Sequence, residues 1–128
     1  MTMTERERAI WQIGVGDIFH AKPKGTASFI CLTLQITEKT IVARRMMTSE
    51  SRHVFDRTTG LEIPEDDDPL TIDSVAPLPA DIREIMLGLD RKYAGSNAPQ
   101  LFSQEARLTK EEQRGLLFVA KFYREHPI

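Results

Sequence analysis

The residue types best placed for chemistry are cations. Lys22, Lys24, Arg44, Arg45, Arg52 and Arg57 lie in the first half of the chain, with His20 and His53 among them. A sheet face carrying such a set meets phosphate or an acidic peptide through long-range attraction and charge-assisted hydrogen bonds. Period-two alternation groups His53, Phe55 and Arg57 on one strand face, an aromatic between cations of the kind on which a base stacks. Against this stand Asp17, Glu50, Asp56 and Glu62, which interleave with the cations and supply ordinary cross-strand ion pairs. In that reading Phe55 belongs to the core.

Other chemistry-bearing residues point less far. The lone cysteine, Cys31, sits in the most apolar strand-like segment and reads as a small buried hydrophobe. His20, His53 and His126 follow no metal-ligand spacing, and HExxH, CxxC and His-x-His are all absent. Asp66, Asp67 and Asp68 carry hard oxygen ligands, but consecutive acids do not converge as an alternating calcium loop does, so they read as a solvated linker. Gly14-Val15-Gly16 has two glycines of a phosphate-binding turn without the preceding strand that such a turn needs. Trp11 reads as a staple between a first helix and the sheet. No cofactor is implied.

These residues must be positioned by a chain of 128 residues, 41% hydrophobic and 28% charged, with 7 Gly and 7 Pro. That composition supplies a core and excludes disordered, collagen-like and coiled-coil classes. One cysteine excludes an internal disulfide framework. The net charge of −2 speaks against a generally basic nucleic-acid coat. It divides unevenly: residues 1–63 hold nine Lys and Arg against seven Asp and Glu, and residues 64–128 hold eight against twelve. No apolar run approaches the roughly 20 residues of a membrane span. The opening MTMTERERAI has no apolar core of a secretory signal, so the expected location is cytoplasmic.

The first half reads as strands. Thr4 to Glu7 fits a capping box for a short helix to about Gln12, broken by Gly14 and Gly16. Strands are expected over Asp17–Lys22, Thr26–Ile36, Thr40–Met47, Arg52–Arg57 and Leu61–Ile63, with a last one over Leu70–Val75. In the longest, Ile30, Leu32, Leu34 and Ile36 alternate with Phe29, Cys31, Thr33 and Gln35, and the first four are expected to face the core. A meander this small curls to protect its edges. The expectation is an α+β fold, a small antiparallel barrel of five to six strands similar in size and strand count to an SH3-like barrel.

The second half reads as helices. Pro79 or Ala80 starts one, with Ile82, Ile85, Met86 and Leu89 on one stripe and Gly95 as a stop. Gln100 to Arg107 holds a further turn or two, and Thr109 to Glu112 is a second capping box for a helix to about Glu125. The division is a barrel with its short helix over 1–76 and a helical appendage over 77–128, packed as one unit. The last helix carries Leu116, Val119 and Tyr123 on one face, with Phe118 and Phe122 beside them. This is more apolar surface than a small barrel needs, and it reads as a protein-contact or self-association face. The functional expectation is a non-enzymatic binding or adaptor module for a macromolecular partner. A nucleic-acid-associated regulator using the cationic face is the alternative, and a small enzyme with a site between barrel and helices comes third.

Overall fold

In the computed structural model, which describes residues 2–24, 29–47, 52–63, 69–94 and 108–128, the chain opens on a helix α1 (Glu5–Trp11). Six strands follow: β1 (Ile18–Lys22), β2 (Phe29–Ile36), β3 (Thr40–Arg45), β4 (Arg52–Asp56), β5 (Glu62–Ile63) and β6 (Thr71–Ser74). Two helices complete the described residues, α2 (Ala80–Tyr93) and α3 (Lys110–Glu125). The strand order is β5-β4-β3-β2-β1-β6, antiparallel throughout. The two edge strands then approach each other: Leu61 bridges Thr71, Glu62 N donates to Leu70 O at 2.9 Å, and Ile72 N donates to Gly60 O at 2.9 Å. The sheet is therefore a nearly closed barrel, which removes its exposed edges. The expected small α+β barrel is the observed architecture.

Alternation along the strands divides the apolar residues between two cores. Phe19, Ala21, Cys31, Ile41, Ala43, Phe55 and Ile72 point into the barrel, where they meet Ile10 and Ile13 from the α1 region. Ile18, Met46 and Met47, with half-buried Ile30 and Leu32, form the outer surface on which Met86, Leu89, Val119 and Tyr123 of α2 and α3 pack. This corrects the expected orientation of Ile30 and Leu32; past the bulge between Thr33 and Gln35, Ile36 packs against the barrel core as expected. Cys31 and Thr33 are the inward residues, while Ile30 and Leu32 lie outside, under the helices. Both faces of β2 are covered, so its period of two marks alternation without saying which side is the interior.

Local signals account for the helix ends. Thr4 Oγ1 accepts from Glu7 N at 3.0 Å, and Thr109 Oγ1 accepts from Glu112 N at 3.0 Å, with both reciprocal bonds present. The expected turns over Gln100–Arg107 fall outside the described residues.

The closure beside α1 depends on Gly60. Its φ is +74°, and a Cβ there would lie 2.8 Å from Ile10 Cδ1 and 3.0 Å from Arg6 Nη2. Arg6 itself ties α1 to the barrel, donating to Thr59 O at 2.9 Å and Ile72 O at 2.8 Å. Gly60→Ala is therefore expected to cost about 1–3 kcal/mol through left-handed strain and displacement of Ile10. Urea unfolding checks this: the midpoint should fall with an unchanged slope.

Candidate partner-binding surfaces

The antiparallel order brings the end of β1, the start of β2, the end of β3 and the start of β4 to one barrel end. Lys22, Phe29, Arg45 and Arg52 are thereby gathered there, with Lys24 following β1. The Arg45 guanidinium lies over the Phe29 ring, 4.1 Å from its centroid. His53 meets the same ring edge-on at 6.0 Å, and its Nδ1 is 2.5 Å from Glu62 Oε2. Lys22 Nζ stands 3.9 Å from Asp73 Oδ2. The acidic candidates Glu50 and Asp66 to Asp68 lie outside the described residues.

Two members of the cationic set are placed elsewhere. Arg44 points out of the barrel to α2, where Nη1 and Nη2 donate to Asp90 Oδ1 and Oδ2 at 3.0 and 2.6 Å. Its side chain is 16% exposed and that of Asp90 8%, so this is a largely buried, two-pronged pair and no polyanion contact. Arg57 lies at the opposite barrel end. Its guanidinium stacks over Trp11 at 3.9 Å, and Nη1 donates to Thr37 O at 3.0 Å. Trp11 does join α1 to the sheet, through this cation. Phe55 is fully buried and meets Phe19 edge-on at 5.6 Å, so it belongs to the core and forms no platform with His53 and Arg57.

On the outer surface His20 Nδ1 is 2.5 Å from Asp73 Oδ1, and the His20 ring packs on Tyr123 at 5.2 Å. Ser74 is the cross-strand partner of His20, which sets serine, histidine and aspartate side by side. Ser74 Oγ, however, donates to His126 O at 2.6 Å and has no exposed surface. The hydroxyl proton is committed to anchoring the end of α3, and a substrate has no path to the oxygen.

Cys31 is fully buried, two residues along β2 from Phe29. Burial pushes its thiol up to about 12, with Arg45 lowering and Glu62 raising it to smaller extents. The thiolate needed for reaction is thus scarce at neutral pH. Native protein is expected to resist alkylation by iodoacetamide at pH 8, and denatured protein to react fully; mass spectrometry distinguishes the two. Among the described residues, no three His, Cys, Asp or Glu side chains are grouped to hold a metal ion.

The α3 face divides. Val119 and Tyr123 are buried in the outer core, and Leu116 packs against it half-buried. Val119 and Tyr123 are therefore interior and offer nothing to a partner. Phe118 is 38% exposed, stacked on half-buried Phe122 at 5.6 Å, and Phe122 in turn stacks on His126 at 4.4 Å. Leu117, absent from the expected face, is 73% exposed. Arg114, Lys121 and Arg124, all exposed, fall three residues before and four and seven after it, on the same helical stripe. Arg114 and Lys121 make loose pairs with Glu111 at 3.6 Å and Glu125 at 3.8 Å, and Arg124 has no ion-pair partner among the described residues. The stripe was legible in these spacings, because an apolar residue ringed by cations stands out from a solvated face.

No helix among the described residues is long and apolar enough to cross a membrane. No family model matches the chain, and neither a curated protein nor a solved structure resembles it at a significant level.

Proposed function

We propose that the protein is a non-enzymatic binding module that docks a protein partner on the outer face of α3. The carrying observation is Leu117, at 73% exposure, beside the Phe118–Phe122 stack on a helix whose inner face already packs on the barrel. Exposed apolar side chains rimmed by charge have the anatomy of an interface centre and its rim. The rim leans cationic: Arg114 and Lys121 are only loosely paired with Glu111 and Glu125, and with Arg124 they favour an acidic partner surface. It disfavours a second copy of the same face, whose cations would meet their own kind. Leu117→Asp is expected to leave stability within about 0.5 kcal/mol of wild type, because the side chain is mostly solvated. Sedimentation velocity of the purified chain should give a monomer; a dimer abolished by Leu117→Asp would transfer the same face to self-association.

A second reading rests on the barrel end where Arg45 covers Phe29 and His53 meets its edge. A cation and an aromatic on one small surface suit a stacked base beside a phosphate. Binding to single-stranded oligonucleotide would then weaken steeply with salt, and Arg45→Ala with Arg52→Ala would lower the slope by about 2.

A further inference from the structure

A cavity of about 260 Å³ lies away from both surfaces, between α1, the Gly14–Asp17 turn, β1 and the segment linking β6 to α2. Its apolar walls include Ile13, Ile18, Val75 and Leu78, and its two charged residues are Asp17 and Arg83. The two are not ion-paired with each other, and Asp17 is exposed while Arg83 is half-buried. Asp17 Oδ2 is held by the Gly14 N–H at 2.8 Å, and Arg83 Nη2 donates to Gly16 O at 2.7 Å. These bonds fix the guanidinium and the carboxylate on one turn while leaving donors on the first and an oxygen on the second.

We propose that this cavity binds a small apolar zwitterion of the free α-amino-acid class. Arg83 receives the carboxylate and Asp17 the ammonium, and the side chain lies on the apolar walls. The volume falls just below the range of about 300–1,000 Å³ usual for drug-sized ligands, which fits an occupant of one residue's size. The charge pattern selects further. Asp17 is exposed and Arg83 half-buried, so a simple carboxylate gains only the Arg83 contact and a simple amine only the Asp17 contact. A molecule carrying both charges gains both, and a dianion such as phosphate is repelled by Asp17.

The test is a titration of the full chain, followed by backbone and arginine side-chain NMR shifts. The probes are free leucine, its deaminated counterpart 4-methylpentanoate and its decarboxylated counterpart 3-methylbutylamine. Leucine should give saturable shifts confined to residues 13–19, 75–78 and Arg83, and each truncated probe should bind at least about tenfold more weakly. Asp17→Asn, which keeps an acceptor for Gly14 N–H, and Arg83→Gln should each weaken leucine by about tenfold or more. The probe comparison needs no variant, so a misfolded variant leaves the test intact. Absence of saturable shifts up to about 50 mM leucine, or truncated probes binding as well as leucine, would overturn the proposal.

Discussion

Replacing Asp90 by alanine should destabilise the protein by about 3–5 kcal/mol, the loss expected when one partner of a buried pair is removed. Two groups depend on this carboxylate. Arg44 binds both of its oxygens, and Met47 N donates to Oδ1 at 2.8 Å. Met47 is buried with φ at 63°, a left-handed conformation that a side chain of this size rarely adopts. Asp90 thus fixes the exit of β3 against the last turn of α2. Its removal would strip the guanidinium of its carboxylate partner and the Met47 amide of its acceptor, and Tm should fall by about 10–20 °C. Arg44→Met combined with Asp90→Leu should recover only part of the loss: no charge then remains buried unpaired, but the Met47 N–H still lacks its acceptor.

The same pair predicts a pH dependence. Burial by itself would raise the Asp90 carboxyl, but the Arg44 hydrogen bonds, the Met47 N–H and the charges of Arg44 and Arg91 outweigh it and hold the group below the usual carboxylate range. A depressed folded-state pKa contributes stability above the unfolded value of about 3.9, and that contribution is lost as pH falls through the folded value. The stability gap between wild type and Asp90→Asn should therefore be widest above about pH 5 and shrink below about pH 4. A gap independent of pH would assign the role of Asp90 to shape alone.

Phe55→Ala should also cost about 3–5 kcal/mol, the usual range for deleting a buried aromatic. Phe55 has no exposed surface, meets Phe19 edge-on at 5.6 Å and pairs with Ile41 across the sheet. Losing it opens a cavity in the barrel where backbone hydrogen bonds resist collapse. Phe55→Leu should cost clearly less, since it refills most of the volume. Denaturant unfolding of both variants measures the difference. A Phe55→Ala protein as stable as wild type but altered in ligand binding would return the residue to the stacking role its place between His53 and Arg57 suggests.

Comparison of Phe55 with Arg44 shows how far the sequence could be read. Strand and helix positions were legible because their signals are local: capping residues at Thr4 and Thr109, Gly14 and Gly16 after α1, and period two across β1 to β4. The pairing of side chains was not. Arg44 and Arg45 are adjacent and chemically alike, yet alternation sends one to Asp90, 46 residues away, and the other over Phe29. Arg57 turns to Trp11 at the other barrel end for the same topological reason. The inward face at the start of β2 was misread because helices cover the outer one, a fact that no pattern within β2 contains. On α3 the apolar stripe marks the core residues Val119 and Tyr123. The exposed Leu117 was marked by its cationic neighbours instead.

The direct test of the proposed role of α3 is comparative capture with three baits: wild type, Leu117→Asp with Phe118→Asp, and Arg45→Ala with Arg52→Ala. Cross-linking and mass spectrometry identify and locate what each retains. The account predicts a partner that binds wild type and the barrel-end variant alike, cross-links through Lys121, carries an acidic surface, and is lost by about 30-fold or more with the α3 variant. A partner retained by the α3 variant, or lost only with the barrel-end variant, would contradict it.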